Sequence, residues 1–377
     1  MNAEQVNGRS ILGEVNSAQR SRTAKRARVL KLLESNKLDG LLLTLQSNFA
    51  WYSGGARSHI NVATEESLAE LLITKTGEHL FINAVESRRM ADEEMPWKPE
   101  QVHLNAWWED TTRRKSLKKH YGNRIAIDTG TLRQEVARLR YSLLPDEIER
   151  YRLLGKDIAA VLWEVAHVLR PGMMEYDLAA ELALRLVRKG IEPLVNLVAF
   201  DERVRAYRHP LPTENTLKKI ALIAMSGRRS GLVASASRQI IMGTVSEDFR
   251  NKHRAVVRLD AWLMERTKPN ASVADIFNGL KDQYTAAGYP NEWYLRHQGG
   301  ATGYTAHDYR ASEICKEVVQ PNQAFAWNPT ITGTKSEDTI VSGESGYEVL
   351  TFDQRWPSVD VEVNGTHVKR PDLLILD

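Results

Sequence analysis

The first part of the chain alternates between hydrophobic patterns typical of helices and of strands. Apolar residues of Ala24–Ser35 recur on one side of a helix, which predicts an amphipathic helix there. Apolar runs within Gly40–Leu45 and Arg124–Asp128 predict buried strands, and two further runs on either side of Lys75–Gly77 predict a hairpin. Trp51–Ile60 is rich in turn-forming residues. The pattern is that of an α/β domain.

A long helix is predicted to begin at Pro145, because a proline followed by two acidic residues favours the first turn of a helix. Apolar residues then recur every three or four positions as far as Leu169. We place a domain boundary just before this helix. Residues 1–143 then form an N-terminal α/β domain, and residues 144–377 form a C-terminal domain.

The C-terminal part contains an internal repeat. A long helix runs into Pro171 and is followed by a second helix that closes at Gly190. The same order returns at Pro269 and Gly288, with a capping motif at Ser272-x-x-Asp275. An extended region follows each pair of helices. Two helix–helix–sheet halves predict a pseudo-two-fold domain with a cleft where the halves meet, although chance spacing of proline and glycine is the alternative.

Composition narrows the class of protein. The 51 Lys and Arg residues nearly balance the 48 Asp and Glu residues, and the net charge of +3 is too small for a typical nucleic-acid binder. The single cysteine excludes a disulfide framework and a cysteine zinc site. No apolar run approaches the roughly 18 residues of a spanning helix, and no signal peptide is recognisable. We therefore expect a cytoplasmic protein without membrane or nucleic-acid partners, in which any metal site must use His, Asp and Glu.

Three segments resemble motifs of one known superfamily. They are Tyr207–Pro212 (YRHPLP), Gly299–Asp308 (GGATGYTAHD) and Glu337–Tyr347 (EDTIVSGESGY). With the duplicated C-terminal half, they are similar to the creatinase, Xaa-Pro aminopeptidase and methionine aminopeptidase superfamily. The resemblance implies an α/β (α+β) protein, with an N-terminal creatinase-like α/β domain followed by a C-terminal pita-bread domain. It also implies a homodimer in which the N-terminal domain contributes to the partner's active site.

Peptidases of this superfamily hold two metal ions with two Asp, one His and two Glu. The matching positions of this chain are Ala224 or Met225, Ser235, Gly300, Asn328 and Glu337. Divalent metals require several hard or imidazole ligands that converge on one point, and these residues supply one carboxylate. The resemblance therefore implies a domain that binds neither metal nor another cofactor.

The superfamily's two proton-handling histidines are matched by His209 and His307, and its last carboxylate by Glu337. This combination is similar to creatinase, which hydrolyses a C–N bond without metal. It implies that the histidines move protons and that the carboxylate holds a cationic group of the substrate. The alternatives are that His209 is a loop histidine and that Glu337 is a strand carboxylate paired with Lys335 or Arg310.

Further residues are candidates for binding a small-molecule substrate. Arg310 could hold a carboxylate or phosphonate, although a surface ion pair is an equal alternative. Arg57 and His59 lie in the stretch that reaches the partner's active site in dimers of the superfamily, and a solvated loop is the alternative. Residues in or beside the former metal positions are expected to line the pocket: Tyr304, Trp327, Asn328, Ser235 and Ser237. His297 and Gln298 are further candidates for the cleft.

These observations lead to one main hypothesis. The chain is expected to be a metal-independent, creatinase-like enzyme that cleaves a C–N bond of a small polar metabolite, by hydrolysis or by lyase-type elimination. Ser237 stands where creatinase has a second carboxylate, so creatine itself is not implied. The alternatives are a non-catalytic pita-bread binding protein and an Xaa-Pro peptidase-like metalloenzyme with relocated ligands.

Overall fold

The computed structural model describes residues 3–95, 97–109, 117, 121–122, 124–344 and 346–377. The chain divides into two compact units. Met1–Arg140 with Leu144–Glu147 form the N-terminal unit, and Tyr141–Leu143 with Ile148–Asp377 form the C-terminal unit. Within the described residues, no helix is both long and apolar enough to cross a membrane.

The N-terminal unit is built around a mixed sheet with the strand order β4-β3-β2-β1-β5. Its elements are α1 (Ala3–Ser35), β1 (Gly40–Leu45), α2 (Gln46–Ser53), β2 (Glu66–Thr74), β3 (Glu78–Asn83), α3 (Ser87–Arg89), a π-helical turn (Met90–Glu94), β4 (Gln101–Asn105), β5 (Ile125–Ile127) and α4 (Arg133–Arg138). The hairpin predicted across Lys75–Gly77 is confirmed, because β2 and β3 pair antiparallel.

A buried carboxylate fixes the start of a helix that the turn-rich pattern concealed. Asp128 accepts hydrogen bonds from the backbone N–H groups of Thr44 and Leu45 at 3.0 and 3.1 Å, and from the Asn48 side chain at 2.7 Å. These contacts bind the first turn of α2, so the predicted turn region at Trp51–Ile60 begins inside a helix instead. From Gly54 to Ile60 the predicted turns are present, and only the first three residues belong to α2, whose partner Asp128 lies about 80 residues away in the sequence.

The C-terminal unit contains a four-stranded sheet of order β18-β8-β7-β6 and a five-stranded sheet of order β10-β9-β11-β14-β15. Its elements are α5 (Pro145–Ala166), α6 (Glu175–Arg188), β6 (Glu192–Phe200), α7 (Glu202–Ala206), β7 (Ile220–Arg229), β8 (Leu232–Met242), α8 (Glu247–Arg266), α9 (Val273–Ala286), a 3₁₀ turn (Trp293–Leu295), β9 (Gly299–Thr302), β10 (Tyr309–Arg310), β11 (Ala324–Trp327), β12 (Thr330–Ile331), β13 (Thr334–Lys335), β14 (Asp338–Gly343), β15 (Gly346–Val349), β16 (Ser358–Val363), β17 (Thr366–Pro371) and β18 (Leu374–Leu376).

The predicted repeat is confirmed in this unit. Helices α5 and α6 precede β6, β7 and β8, and helices α8 and α9 precede β9, β11 and β14. Ser272 caps α9 by accepting a hydrogen bond from the N–H of Asp275 at 3.2 Å. Gly190 and Gly288 follow α6 and α9 with φ of +67° and +84°, the left-handed conformation that glycine allows after a helix. The two sheets meet at an isolated bridge between Ser237 and Glu337.

A buried ionic network holds this junction. Arg370 of β17 lies 2.5 Å from the carboxylate of Asp260 and 2.7 Å from that of Asp338. Arg238 of β8 donates to the other oxygen of Asp338 at 2.8 Å, and the hydroxyl of Thr351 donates to the same oxygen at 2.6 Å. The network therefore ties β8, α8 and β17 to the first residue of β14.

Gly300 lies where three backbones approach closely, since it pairs with Arg310 on β10 and with Ala326 on β11. Its φ is +153°, and a Cβ added there would stand 2.3 Å from the carbonyl oxygen of Tyr309. That separation is far below van der Waals contact, and the obstructing atom belongs to the backbone. The position therefore requires glycine.

Substituting Gly300→Ala is expected to lower the free energy of unfolding by roughly 2–4 kcal/mol, because it adds backbone strain and an overpacked contact. Gly343→Ala in β14 is the matched control, since its Cβ would meet its nearest neighbour at 3.7 Å. Urea denaturation of both variants measures the difference. Equal losses of stability would contradict the close approach at position 300.

Candidate functional site

The candidate site is built around Glu337, which directly precedes β14. The backbone N–H of Ser237 donates to the Glu337 carbonyl oxygen at 3.0 Å, and the Ser237 hydroxyl donates to the carboxylate. The ammonium of Lys335 donates to the same carboxylate oxygen, and the amide of Asn328 approaches the other oxygen at 3.4 Å. All four side chains are buried. The carboxylate is thus surrounded by donors from the protein itself.

The electrostatics of Lys335 and Glu337 are those of a closed ion pair. Burial alone would raise the pKa of Glu337, but Lys335 and Arg296 outweigh it and hold that pKa at about 2. Burial lowers the pKa of Lys335 to about 8, and Arg296 acts in the same direction while Glu337 opposes it. The salt bridge with Lys335, one of the alternatives left open by the sequence, is present. That Glu337 orients a cationic group of the substrate, or a histidine, stays a prediction.

Three imidazoles adjoin one another in this unit. The rings of His209 and His297 are 5.8 Å apart between centroids, and those of His297 and His307 are 5.0 Å apart. His209 lies in the loop after α7, His297 lies two residues before β9, and His307 lies in the loop between β9 and β10. The structure thus brings His209 and His307 to the same cluster, with His297 between them.

All three rings favour the neutral state. Desolvation, followed by the charges of Arg296 and Lys335, lowers the pKa of His209 to about 4. Desolvation, followed by the neighbouring His307 and Arg296, lowers the pKa of His297 to about 3. The pKa of His307 is lowered by desolvation and by Arg310. At neutral pH each ring therefore has one nitrogen that donates and one that accepts, which is the state that a general base requires.

Two guanidinium groups border these rings. Arg296 donates through Nη1 to the carbonyl oxygen of Arg208 at 2.6 Å, whereas its Nε is buried and has no hydrogen-bond partner among the described residues. Arg310 lies on β10, is exposed, and acts electrostatically on all three histidines. Sequence reasoning missed Arg296. The only available signal was its position directly before His297, and that signal says nothing about burial.

The residues at the positions that match the superfamily's metal ligands do not fit a pair of metal ions. Ser226 and Ser235 face each other across β7 and β8 and share a hydrogen bond of 2.7 Å. Side chains alternate along a strand, so Ala224, and not Met225, lies on that face. Gly300 cannot be replaced by a residue with a side chain without a backbone clash. Since the remaining carboxylate is paired with Lys335, the donor set is too poor for the metals that the family implies.

Within the described ranges, no group of three or more His, Cys, Asp or Glu side chains is placed to hold a metal ion. A relocated set of ligands therefore has no support within the part of the chain that the structure describes.

Two residues that were expected to line the site, Trp327 and Tyr304, are buried and make other contacts. Trp327 is 0% exposed, packs in the hydrophobic core against Phe325, and donates from its indole to Thr267 at 2.8 Å. The expectation that it lines the site is wrong, because successive side chains point to opposite faces and only Asn328 turns toward Glu337. Tyr304 is also buried, and its hydroxyl accepts a hydrogen bond from Arg150 at 3.4 Å.

The candidates of the N-terminal unit have partners within that unit. Arg57 forms an ion pair with Glu94 at 2.8 Å, and its backbone N–H donates to the same carboxylate at 2.7 Å. His59 is half-buried in the loop that follows. A role of either residue in binding a substrate stays a prediction.

Comparison with known proteins places both units. Residues 149–349 match the model of metallopeptidase family M24, and residues 25–153 match the creatinase/prolidase N-terminal domain. An uncharacterized peptidase of Staphylococcus haemolyticus is 22% identical over 356 residues, which cover 87% of this chain and 99% of the relative.

Solved structures share the fold. The prolidase from Pyrococcus horikoshii OT3 has a TM-score of 0.72 at 17% identity and covers 88% of this chain and 99% of its own. The Xaa-Pro dipeptidase from Bacillus anthracis has a TM-score of 0.72 at 17% identity, with 94% and 100% covered. The expected fold class, a creatinase-like α/β domain followed by a pita-bread domain, is confirmed. Because the M24 model matches more than half of the chain, the chain belongs to metallopeptidase family M24.

Proposed function

We propose that this member of the family is a metal-independent hydrolase that cleaves a C–N bond in a small polar molecule. The observation that carries the proposal is the cluster of three neutral imidazoles beside a position where the chain supplies an internal ion pair in place of metal ligands. Proton transfer by histidine is the chemistry that such a cluster supports best.

The proposed reaction assigns a proton-handling step to the imidazoles. A water oxygen attacks the carbon of the C–N bond while His307 accepts a proton from that water. The bond then breaks, and the departing nitrogen receives a proton from His209, which regains one from His307 through His297, so that all three rings end neutral. His297 lies between the two rings and can pass a proton from one to the other. In an elimination, the proton would leave a neighbouring carbon instead of water, and the same histidines would serve.

The positive groups support the same step. Addition of water to a carbonyl or amidine carbon builds negative charge on the oxygen or nitrogen that is double-bonded to that carbon. The guanidinium groups of Arg296 and Arg310 act on the same three rings electrostatically, so they are placed to stabilise that charge. Lys335 and Glu337 neutralise each other's charge and so add no net charge beside the rings.

A peptidase that uses metal is the competing proposal. The staphylococcal relative is named a peptidase, and the solved neighbours are a prolidase and an Xaa-Pro dipeptidase. The glycine at position 300 and the engaged carboxylate at 337 weigh against transferring a metal-dependent activity to this chain. A purely binding protein is disfavoured for a different reason: three buried or half-buried neutral imidazoles serve no evident purpose in a protein that transfers no proton.

Metal content and activity can be tested together. After dialysis against a chelator, the protein is assayed on a panel of ureido, amidino and amide compounds and on Xaa-Pro dipeptides, and its metals are measured by mass spectrometry. We expect hydrolysis of a non-peptide compound with well under one metal ion per chain. His307→Gln should lower kcat by about 10²–10⁴-fold, the usual contribution of general acid–base catalysis.

His367→Gln is the matched control, since His367 is exposed and paired with Asp360. It should leave kcat unchanged. Two bound metal ions per chain, with Xaa-Pro hydrolysis that the chelator abolishes, would establish the metallopeptidase alternative.

The protonation state of the rings has a direct test. Because the pKa of His297 is about 3, its C2–H resonance should not shift between pH 8 and pH 5, whereas in the urea-unfolded chain it should titrate near roughly 6.5. The unfolded state then binds the extra proton as the pH falls below about 6.5, so this histidine makes the protein less stable in that range. His297→Gln assigns the resonance and should reduce that loss. A midpoint near 6.5 in the folded protein would contradict the neutral cluster.

A further inference from the structure

The outer face of α6 is apolar, whereas the outward side of a helix that packs on a core is ordinarily polar. Tyr176, Leu184 and Val187 are 54%, 44% and 61% exposed, and Ala180 is exposed between them. Their spacing of three or four residues aligns them along one side of the helix, here called the outer stripe. The buried side chains of α6 lie on a different side: Glu175, Leu178, Ala179, Leu182 and Leu186.

The repeat supplies an internal comparison for this helix. Helix α9 occupies the equivalent place in the second half of the repeat and likewise buries one side. The residues exposed along its other side include Asp275, Asn278, Asp282 and Thr285, which are all polar. The fold therefore does not require exposed apolar residues at this place, and a contiguous exposed apolar patch indicates an interaction surface.

Charged residues flank the outer stripe in a defined order. Asp177 lies in the first turn of α6 and Arg188 in the last, and both are exposed. They are 11 residues apart, about three turns of 3.6 residues, so they project on the same flank of the stripe. Asp177 accepts the backbone N–H of Met174 with one oxygen at 3.1 Å, and a carboxylate can accept further hydrogen bonds with its other oxygen. The helix thus presents negative charge at one end of the stripe and positive charge at the other.

We propose that α6 packs antiparallel against α6 of a second copy of the chain, with the two outer stripes in contact. A two-fold axis that passes beside Leu182 places Asp177 opposite Arg188 of the partner subunit, and the symmetry repeats this pair at the other end. A parallel pair would instead bring like charges to the same end. The order of the charges therefore specifies both the occupant, a second copy, and its direction.

The apolar residues obey the same symmetry. The axis places Ala180 opposite Leu184 of the partner subunit, so a small side chain faces a large one at the centre of the contact. It also places Tyr176 opposite Val187 of the partner subunit. All of these residues lie in the C-terminal unit, so this contact differs from the one that the resemblance implies, in which the N-terminal domain contributes.

The strength of the contact follows from its size. Two helices of 14 residues bury less surface than the roughly 1,200–2,000 Å² of stable interfaces, so we expect a reversible dimer with Kd in about the micromolar range. Sedimentation velocity of the full chain, at concentrations from about 1 to about 200 µM, measures this equilibrium.

A charge in the centre of the stripe should disrupt the dimer. Leu184→Glu is expected to raise Kd by about tenfold or more, because pairing would bury an unpartnered carboxylate. Ile314→Glu is the matched control, since Ile314 is 87% exposed in the loop between β10 and β11. It should leave the equilibrium unchanged, and thermal unfolding verifies that both variants fold.

A mixing experiment tests the antiparallel direction. Arg188→Asp and Asp177→Arg should each weaken self-association, because like charges then face each other at both ends of the contact. An equimolar mixture of the two variants should dimerise again, since every facing pair then has opposite signs. Circular dichroism verifies that Asp177→Arg, which loses the contact with Met174, retains its helices.

Each outcome decides the inference without an activity assay. A chain that stays monomeric throughout the concentration range overturns it. A dimer that Leu184→Glu leaves intact also overturns it, because that dimer uses another surface. Recovery of the dimer in the mixture supports the antiparallel pair of helices, and failure of two folded variants to recover it overturns that pair. The proposed hydrolase stands or falls separately, on turnover.

Discussion

The carboxylate of Asp338 is the point on which the architecture of the C-terminal unit depends. It receives Arg238 from one half of the repeat and Arg370 from the terminal strands, and Arg370 also contacts Asp260 on α8. Bringing these charges out of water is costly, and the cost is offset only when each charge meets partners at hydrogen-bond distance. Since Asp338 directly follows Glu337, the network that joins the two sheets also fixes the carboxylate of the candidate site.

That placement shows what holds this part of the fold together in a chain whose residues at the superfamily's ligand positions supply one carboxylate. In a metal site, cations hold converging carboxylates together. Here one carboxylate survives, and the Lys335 ammonium, supplied from two residues earlier in the chain, holds it instead. Ser237 and Asn328 occupy neighbouring positions with uncharged hydrogen-bonding groups. The cation in this part of the site is therefore covalently attached to the protein.

Much of the fold could be read from the sequence because it depends on local rules. Proline and glycine mark the ends of the repeated helices, and apolar runs mark the strands. The helix α2 was concealed because its first turn is satisfied by Asp128, which is remote in the sequence. At the site, motif positions identified His209 and His307, but Trp327 was misassigned because a motif gives position and not the face of the strand. The partner of Glu337 remained open between Lys335 and Arg310, since burial decides between them and burial is a tertiary property. Arg296 was missed for the same reason, because its burial beside the histidines is also a tertiary property.

The close packing around Gly300 limits what a single substitution at that position can do. A histidine placed there would bring its Cβ to 2.3 Å from the Tyr309 carbonyl oxygen, so one substitution would not supply a ligand. The path of β10 would first have to move, and that strand carries Arg310. A metal ligand at this position would therefore require coordinated changes in two neighbouring strands, which a single substitution does not supply.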